Sequence, residues 1–338
     1  MWKSIDKKTK EIVALKKIFD AFQNSTDAQR TFREILILQE LNNHENIIRL
    51  LDVIKAENDK DIYLVFDYME TDLHAVIRAG ILEEIHKQYI IYQILKCLKF
   101  MHSADIIHRD LKPSNFLLNS ECLVKVADFG LARSIRAKVK DQQPILTEYV
   151  ATRWYRAPEI LLGSTRYTKG VDLWSIGCIL AESMLGKPLF PGTSTLNQIE
   201  RVLEITGKPT KEEIESLQSP QAASILESLP QTKVKNIHDM FPTLSKNGIN
   251  FLKNCLQFNP NKRFSVEQAL KHPYVAQFSN EEDEPKCSKI IEIPLDDHKH
   301  SIKEYREKLY EDIKRRKKEL RKEYYALQQK NKGVDYKK

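Results

Sequence analysis

Asp110, Lys112, Asn115 and Asp128 lie in one stretch of chain, and their types suit the movement of a phosphoryl group. Asp110 can accept the proton of an attacking hydroxyl, and Lys112 can steady the negative charge of the group in flight. Asn115 and Asp128 offer hard oxygen atoms of the kind that bind Mg²⁺ beside nucleotide phosphates. Any one of these residues alone would more often be a turn or a helix cap. Their joint spacing makes coincidence a poor account.

Such side chains need elements to hold them. Residues 1–66 read as a small sheet with one helix. A β-rich run covers residues 11–17, and Thr26 with Gln29 predicts a capping box ahead of a helix with Phe32, Ile35, Leu36, Leu38 and Leu41 on one face. Two strands follow over residues 47–54 and 62–66, joined by a polar turn. From Asp72 the pattern is helical. Ile85, Tyr89, Ile90, Ile94, Leu98 and Met101 line one long helix ending just before Asp110, and residues 171–185 form a buried helix with Asp172 at its start. Residues 208–236 read as a polar surface insert. A final helix from Ser301 carries the stripe Ile302, Tyr305, Leu309 and Ile313, then the basic run 314–318. The expectation there is a solvated extension; a nuclear-import or anionic-partner patch is the alternative.

Length and charge set further bounds. The 338 residues exceed one small core and fit two lobes with an appendage. Five scattered cysteines without a C-x₂-C pair argue for reduced thiols and against a zinc site. No apolar run approaches the roughly 18–20 residues of a membrane span. Residues 303–338 carry 14 Lys and Arg against 7 Asp and Glu, so the remainder is balanced at 40 of each. Nucleic acid is therefore not expected as a partner, and the basic arm suggests a regulatory or partner-binding role.

The run His108-Arg109-Asp110-Leu111-Lys112-Pro113-Ser114-Asn115, the later Asp128-Phe129-Gly130 and the earlier Val13-Ala14-Leu15-Lys16 together resemble the protein kinases. That resemblance implies an α+β, bilobal fold. Residues 1–66 would form the N-lobe, 67–275 the hinge and C-lobe with an activation segment over 128–159, and 276–338 a C-terminal extension. It implies ATP and Mg²⁺ as cofactors, Asp110, Lys112 and Arg109 as the catalytic set, and Asn115 and Asp128 as metal ligands. Lys16, paired with Glu34, would hold the nucleotide phosphates. Ala14 and Leu117 would sandwich the adenine, with Phe66 behind it, Asp67 and Met69 at its edge and Asp72 near the ribose. Such kinases place a glycine-rich loop before the lysine strand, whereas Met1–Asp6 matches the strand after it. The expectation is an N-terminal truncation of low activity, the alternative being an impaired kinase-fold scaffold.

Thr147-Glu148-Tyr149, followed by residues 150–156 and then Ala157-Pro158-Glu159, resembles the mitogen-activated protein kinases of the extracellular-signal-regulated group. Residues 17–24, 190–196 and 301–306 with Phe66 are similar to their atypical fifteenth branch. The resemblance implies activation by phosphorylation of Thr147 and Tyr149, carried out by the enzyme itself. Phosphate on Thr147 would meet Arg33, Arg109 and Arg133, and phosphate on Tyr149 would meet Arg153 and Arg156. It further implies protein substrates with Ser/Thr-Pro sites, a Glu159–Arg263 brace, and docking of basic peptides at Asp283 and Glu284, although Asn280 replaces an expected Asp. A monomer in cytoplasm or nucleus completes the expectation.

Overall fold

A computed structural model describes residues 1–136, 153–295 and 299–334. Four antiparallel strands open it: β1 (Trp2–Ile5), β2 (Ile12–Ile18), β3 (Leu50–Lys55) and β4 (Ile62–Asp67), in the order β1-β2-β4-β3. Alternation dictates the faces: Ile62, Leu64 and Phe66 of β4 are buried while Tyr63, Val65 and Asp67 are half-buried. Helix α1 (Ser25–Glu40) buries Phe32, Ile35, Leu36 and Leu38. Its cap differs from the expected Thr26–Gln29 box. Asn24 accepts the Asp27 N–H at 2.9 Å, so the helix begins earlier and Thr26 falls inside its first turn. Strand β3 is also shorter than expected, because Ile47 bridges Val126 and the Ile48 N–H donates to the Val126 carbonyl at 3.0 Å. Those apolar residues join the two lobes.

The second lobe holds β5 (Thr71–Asp72), α2 (Leu73–Ala79), α3 (Glu84–Ser103), β6 (Ile106–Ile107), β7 (Phe116–Leu118), β8 (Val124–Val126) and β9 (Arg133–Ser134). After residue 152 come α4 (Pro158–Leu161), α5 (Gly170–Leu185) and α6 (Thr195–Thr206), then α7 (Lys211–Ser216) and α8 (Ala222–Ser228) within the expected insert. Leu217, Ala222 and Leu226 are buried, so the insert is anchored rather than merely superficial. Helices α9 (Ile237–Met240), α10 (Lys246–Cys255) and α11 (Val266–Leu270) complete the lobe. Helix α5 is its axis: Trp174, Ile176, Ile179 and Leu180 are fully buried, and Gly177 lets Cys255 and Leu256 approach where a Cβ would sit 2.8 Å from each.

The tail overturns the solvated-extension expectation. Helix α12 (Ile302–Val334) lies against α1 of the first lobe, with Tyr305 and Leu309 fully buried. Tyr305 tilts against Phe32 at 5.5 Å and Tyr310 meets Phe22 edge-on at 6.1 Å. Part of the basic run is spent on the same contact: Arg316 pairs with Glu40 and Asp312, and Lys317 with Asp52. An amphipathic stripe reveals that a helix needs a partner surface; it does not say which one.

Candidate active site

Strand β2 and helix α1 build the first half of the site. Lys16 Nζ donates to Glu34 Oε1 at 2.5 Å. Burial by itself would lower the Lys16 ammonium, but Glu34 and then Asp128 hold it above its ordinary range. Ala14 lies opposite Phe66 in the β2–β4 register, and Phe66 is buried. Asp67 ends β4 and accepts from Arg49 at 3.0 Å, while Met69 packs on the core. Asp72 caps α2 by accepting the Ala75 N–H at 3.0 Å and lies opposite Leu117 of β7. The cap engages Oδ1 of the Asp72 carboxylate.

The second half is a loop clamped from below. Asp172, wholly buried near the start of α5, accepts the His108 N–H at 3.0 Å and the Arg109 N–H at 2.9 Å. His102 Nε2 lies 2.9 Å from the same carboxylate. Burial would raise the Asp172 carboxyl; the His102 contact and the backbone donor outweigh it and hold it low. The Asp110 N–H donates to His108 Nδ1 at 3.3 Å, leaving Nε2 to carry the proton toward the Ala127 carbonyl, 3.1 Å away. This arrangement fixes Arg109 at φ 70°, a left-handed conformation that a non-glycine residue adopts only when its surroundings insist.

Above that clamp Lys112 Nζ donates to Asp110 Oδ2 at 2.9 Å, and Asn115 Nδ2 to the Asp110 carbonyl at 2.8 Å. The amide of Asn115 is thus oriented with Oδ1 left for another partner. Asp128, also left-handed at φ 61°, feels burial first, then Lys16, Arg30, His108 and Lys112, which together keep its carboxyl below the ordinary range. Lys16, Lys112 with its Asp110, and Asp128 therefore share one electrostatic cluster. The donor set suits Mg²⁺: one carboxylate and one amide oxygen, both hard, and among the described residues no group of three or more His, Cys, Asp or Glu to cage a metal. Mg²⁺ characteristically uses few protein ligands and completes its shell with phosphates and water.

The remaining expected residues spread around this cluster. Arg109 stacks on the Tyr167 ring at 4.1 Å; Arg33 is buried on α1, and Arg133 bonds the Ala132 carbonyl at 3.2 Å. Arg153 reaches the Thr193 carbonyl at 2.8 Å. Arg156 is pulled down by burial and supported by the nearby Asp110 charge. Thr147 and Tyr149 lie outside the described residues. Glu159 and Arg263 form a buried two-pronged pair at 2.7 and 2.6 Å. Glu284 turns inward to Lys99 at 3.0 Å and to Ser279, leaving Asp283, with Glu281 and Glu282, on the surface. Asp172 was visible in sequence only as a helix-start acid, and Arg30 carried no signal beyond its place one turn before Glu34.

A lysine–carboxylate pair on strand and helix, facing a clamped acidic loop between two lobes, defines a protein kinase. The protein kinase domain profile matches residues 1–275. The chain is 65% identical to Extracellular signal-regulated kinase 2 of Dictyostelium discoideum, across 95% of this chain and 88% of that protein. It is 57% identical to Mitogen-activated protein kinase 15 of Xenopus laevis, over 96% of this chain and 56% of that protein. With the Caenorhabditis elegans protein of the same name it shares 53% identity, over 94% and 69% respectively. The chain belongs to the mitogen-activated protein kinase family and is a serine/threonine protein kinase. Kinases of this family act on proteins and use ATP and Mg²⁺. Among the described residues no helix is long and apolar enough to cross a membrane.

Proposed function

We propose that this kinase transfers the γ-phosphoryl group of ATP to Ser or Thr followed by Pro, and that phosphates on Thr147 and Tyr149, placed there by the enzyme itself, switch it on. The observation that carries the reading is the shared cluster of Lys16–Glu34, Asp128 and Asp110–Lys112. Asp110 orients the substrate hydroxyl and takes its proton, with Lys112 beside it to hold negative charge. Lys16, fixed by Glu34, holds the nucleotide phosphates. Ala14, Phe66, Asp67, Met69, Asp72 and Leu117 enclose adenine and ribose. Asn115 and Asp128 would hold Mg²⁺, which would supply positive charge to offset that of the nucleotide phosphates.

Proline selection is supported by the frame where Arg153 and Trp154 bond the 192–193 carbonyls, since proline brings no N–H that needs a partner. Phosphates on the two regulatory residues would recruit Arg33, Arg109, Arg133, Arg153 and Arg156, each charge-assisted bond contributing about 1.5–3 kcal/mol. Asp283 with its acidic neighbours is the docking surface for basic peptides; Glu284 supports it from inside. The enzyme acts as a monomer in cytoplasm or nucleus. Two peptides differing only as Ser-Pro and Ser-Ala test the reading: transfer to the first should dominate, and equal rates would refute proline direction. In Asp110→Asn, transfer and self-phosphorylation should both vanish; phosphate still present on Thr147 would assign that step to another kinase.

A further inference from the structure

Helix α1 carries, one turn ahead of Glu34, a cation to which the transfer chemistry assigns no task. Arg30 lays its shaft across Gly130, where an added Cβ would come within 2.6 Å of Nε and 3.1 Å of Cγ. Its Nη2 stands 3.6 Å from Oδ1 of Asp128. The helix that grips Lys16 through Glu34 thus also reaches the carboxylate read as a metal ligand. A guanidinium and a divalent ion drawn to the same oxygen repel each other, and the cost falls on whichever binds reversibly.

We propose that Arg30 is a positioning residue that sets the Mg²⁺ affinity of Asp128, drawing the carboxylate toward α1 and opposing a divalent cation there. The proposal rests on Asp128 being a metal ligand. It makes metal affinity and the Lys16–Glu34 contact depend on one rigid element: any displacement of α1 carries Arg30 and Glu34 together. It also gives Gly130 a reason to lack a side chain, since the shaft of Arg30 fills that space.

The test is a Mg²⁺ titration of the full chain with ADP by calorimetry, repeated with Mn²⁺ by electron paramagnetic resonance. Arg30→Met removes the charge and keeps an apolar shaft over Gly130; its half-saturating Mg²⁺ should fall about three- to tenfold, the range for one charge at this distance with solvent screening. Arg30→Lys, which keeps the charge, should stay within about twofold of the parent. A Met variant that titrates like the parent, or a Lys variant that shifts as far as Met, overturns the proposal. Should Arg30→Met not fold, Arg30→Gln is held to the same criterion. Asp128→Asn separates the two levels. Unchanged metal binding there would sink the ligand reading itself, whereas lost binding with inert Arg30 variants would sink only the positioning role.

Discussion

The two halves of the active site are held by different means. Asp110 stands on a loop bolted to Asp172, whose exposure is 0%, in a lobe braced by the equally buried Glu159–Arg263 pair. Lys16 stands on a four-stranded sheet with its side chain part-exposed in the pair with Glu34, and the partner helix α1 is backed by a helix from the far end of the chain. Buried polar networks favour one arrangement, while pairs open to solvent contribute less. The loop of Asp110 hangs from wholly buried contacts; the Lys16–Glu34 contact keeps one of its partners part-exposed.

Substitutions can break this contrast. The largest effect belongs to Glu159→Ala, which leaves Arg263 buried without its partner and should cost about 3–5 kcal/mol in denaturant unfolding. A loss under about 1 kcal/mol would show that the brace is dispensable. Tyr305→Ala removes a wholly buried ring from the α1–α12 seam and should cost about 3 kcal/mol, with a raised KM for ATP if the seam steadies α1. An unchanged KM with the full stability loss would confine the tail to a structural role.

His44, between the lobes, sharpens the comparison through pH. Its ring packs on Phe100 at 4.9 Å, its Nδ1 accepts the Asn46 N–H at 3.0 Å, and burial, then Lys96, lower its pKa from 6.5 to about 4. A depressed histidine resists protonation in the folded chain while the unfolded chain accepts it. Stability is therefore unaffected above pH 6.5 and falls as pH drops toward 4, by about 2 kcal/mol at pH 5. In His44→Asn that portion of the acid sensitivity should disappear; an identical pH profile would exclude His44 as its source. Smallest of all, Lys317→Ala breaks a half-exposed pair with Asp52 at 2.8 Å and should cost less than about 1 kcal/mol.

Much of the candidate site was legible because its residues are close in sequence and of demanding chemistry. Asp110, Lys112, Asn115 and Asp128 announce themselves by type and spacing, and Lys16 with Glu34 through the resemblance of Val13-Ala14-Leu15-Lys16 to the protein kinases. Asp172 escaped a role because its importance lies in contacts with backbone N–H groups 63 and 64 residues away, which leave no mark on local pattern. Glu284 shows the opposite failure: the family resemblance implies a docking group there, yet Lys99 and Ser279 draw it inward. The start of α1 was misplaced by two residues because Asn24 and Thr26 both cap well, and only the backbone decides between them. The tail's destination could not be inferred at all, since many surfaces could cover an apolar stripe.

The α1–α12 seam also bears on how the chain is made. Phe32, Leu36 and Glu40 emerge from the ribosome early, but Tyr305 and Arg316, which cover that side of α1, follow some 270 residues later. At translation rates of about 5–20 residues per second, that side of the helix waits roughly 15–55 s for its cover. Throughout that interval a nascent chain presents an uncovered apolar strip, the kind of surface on which holdase chaperones act.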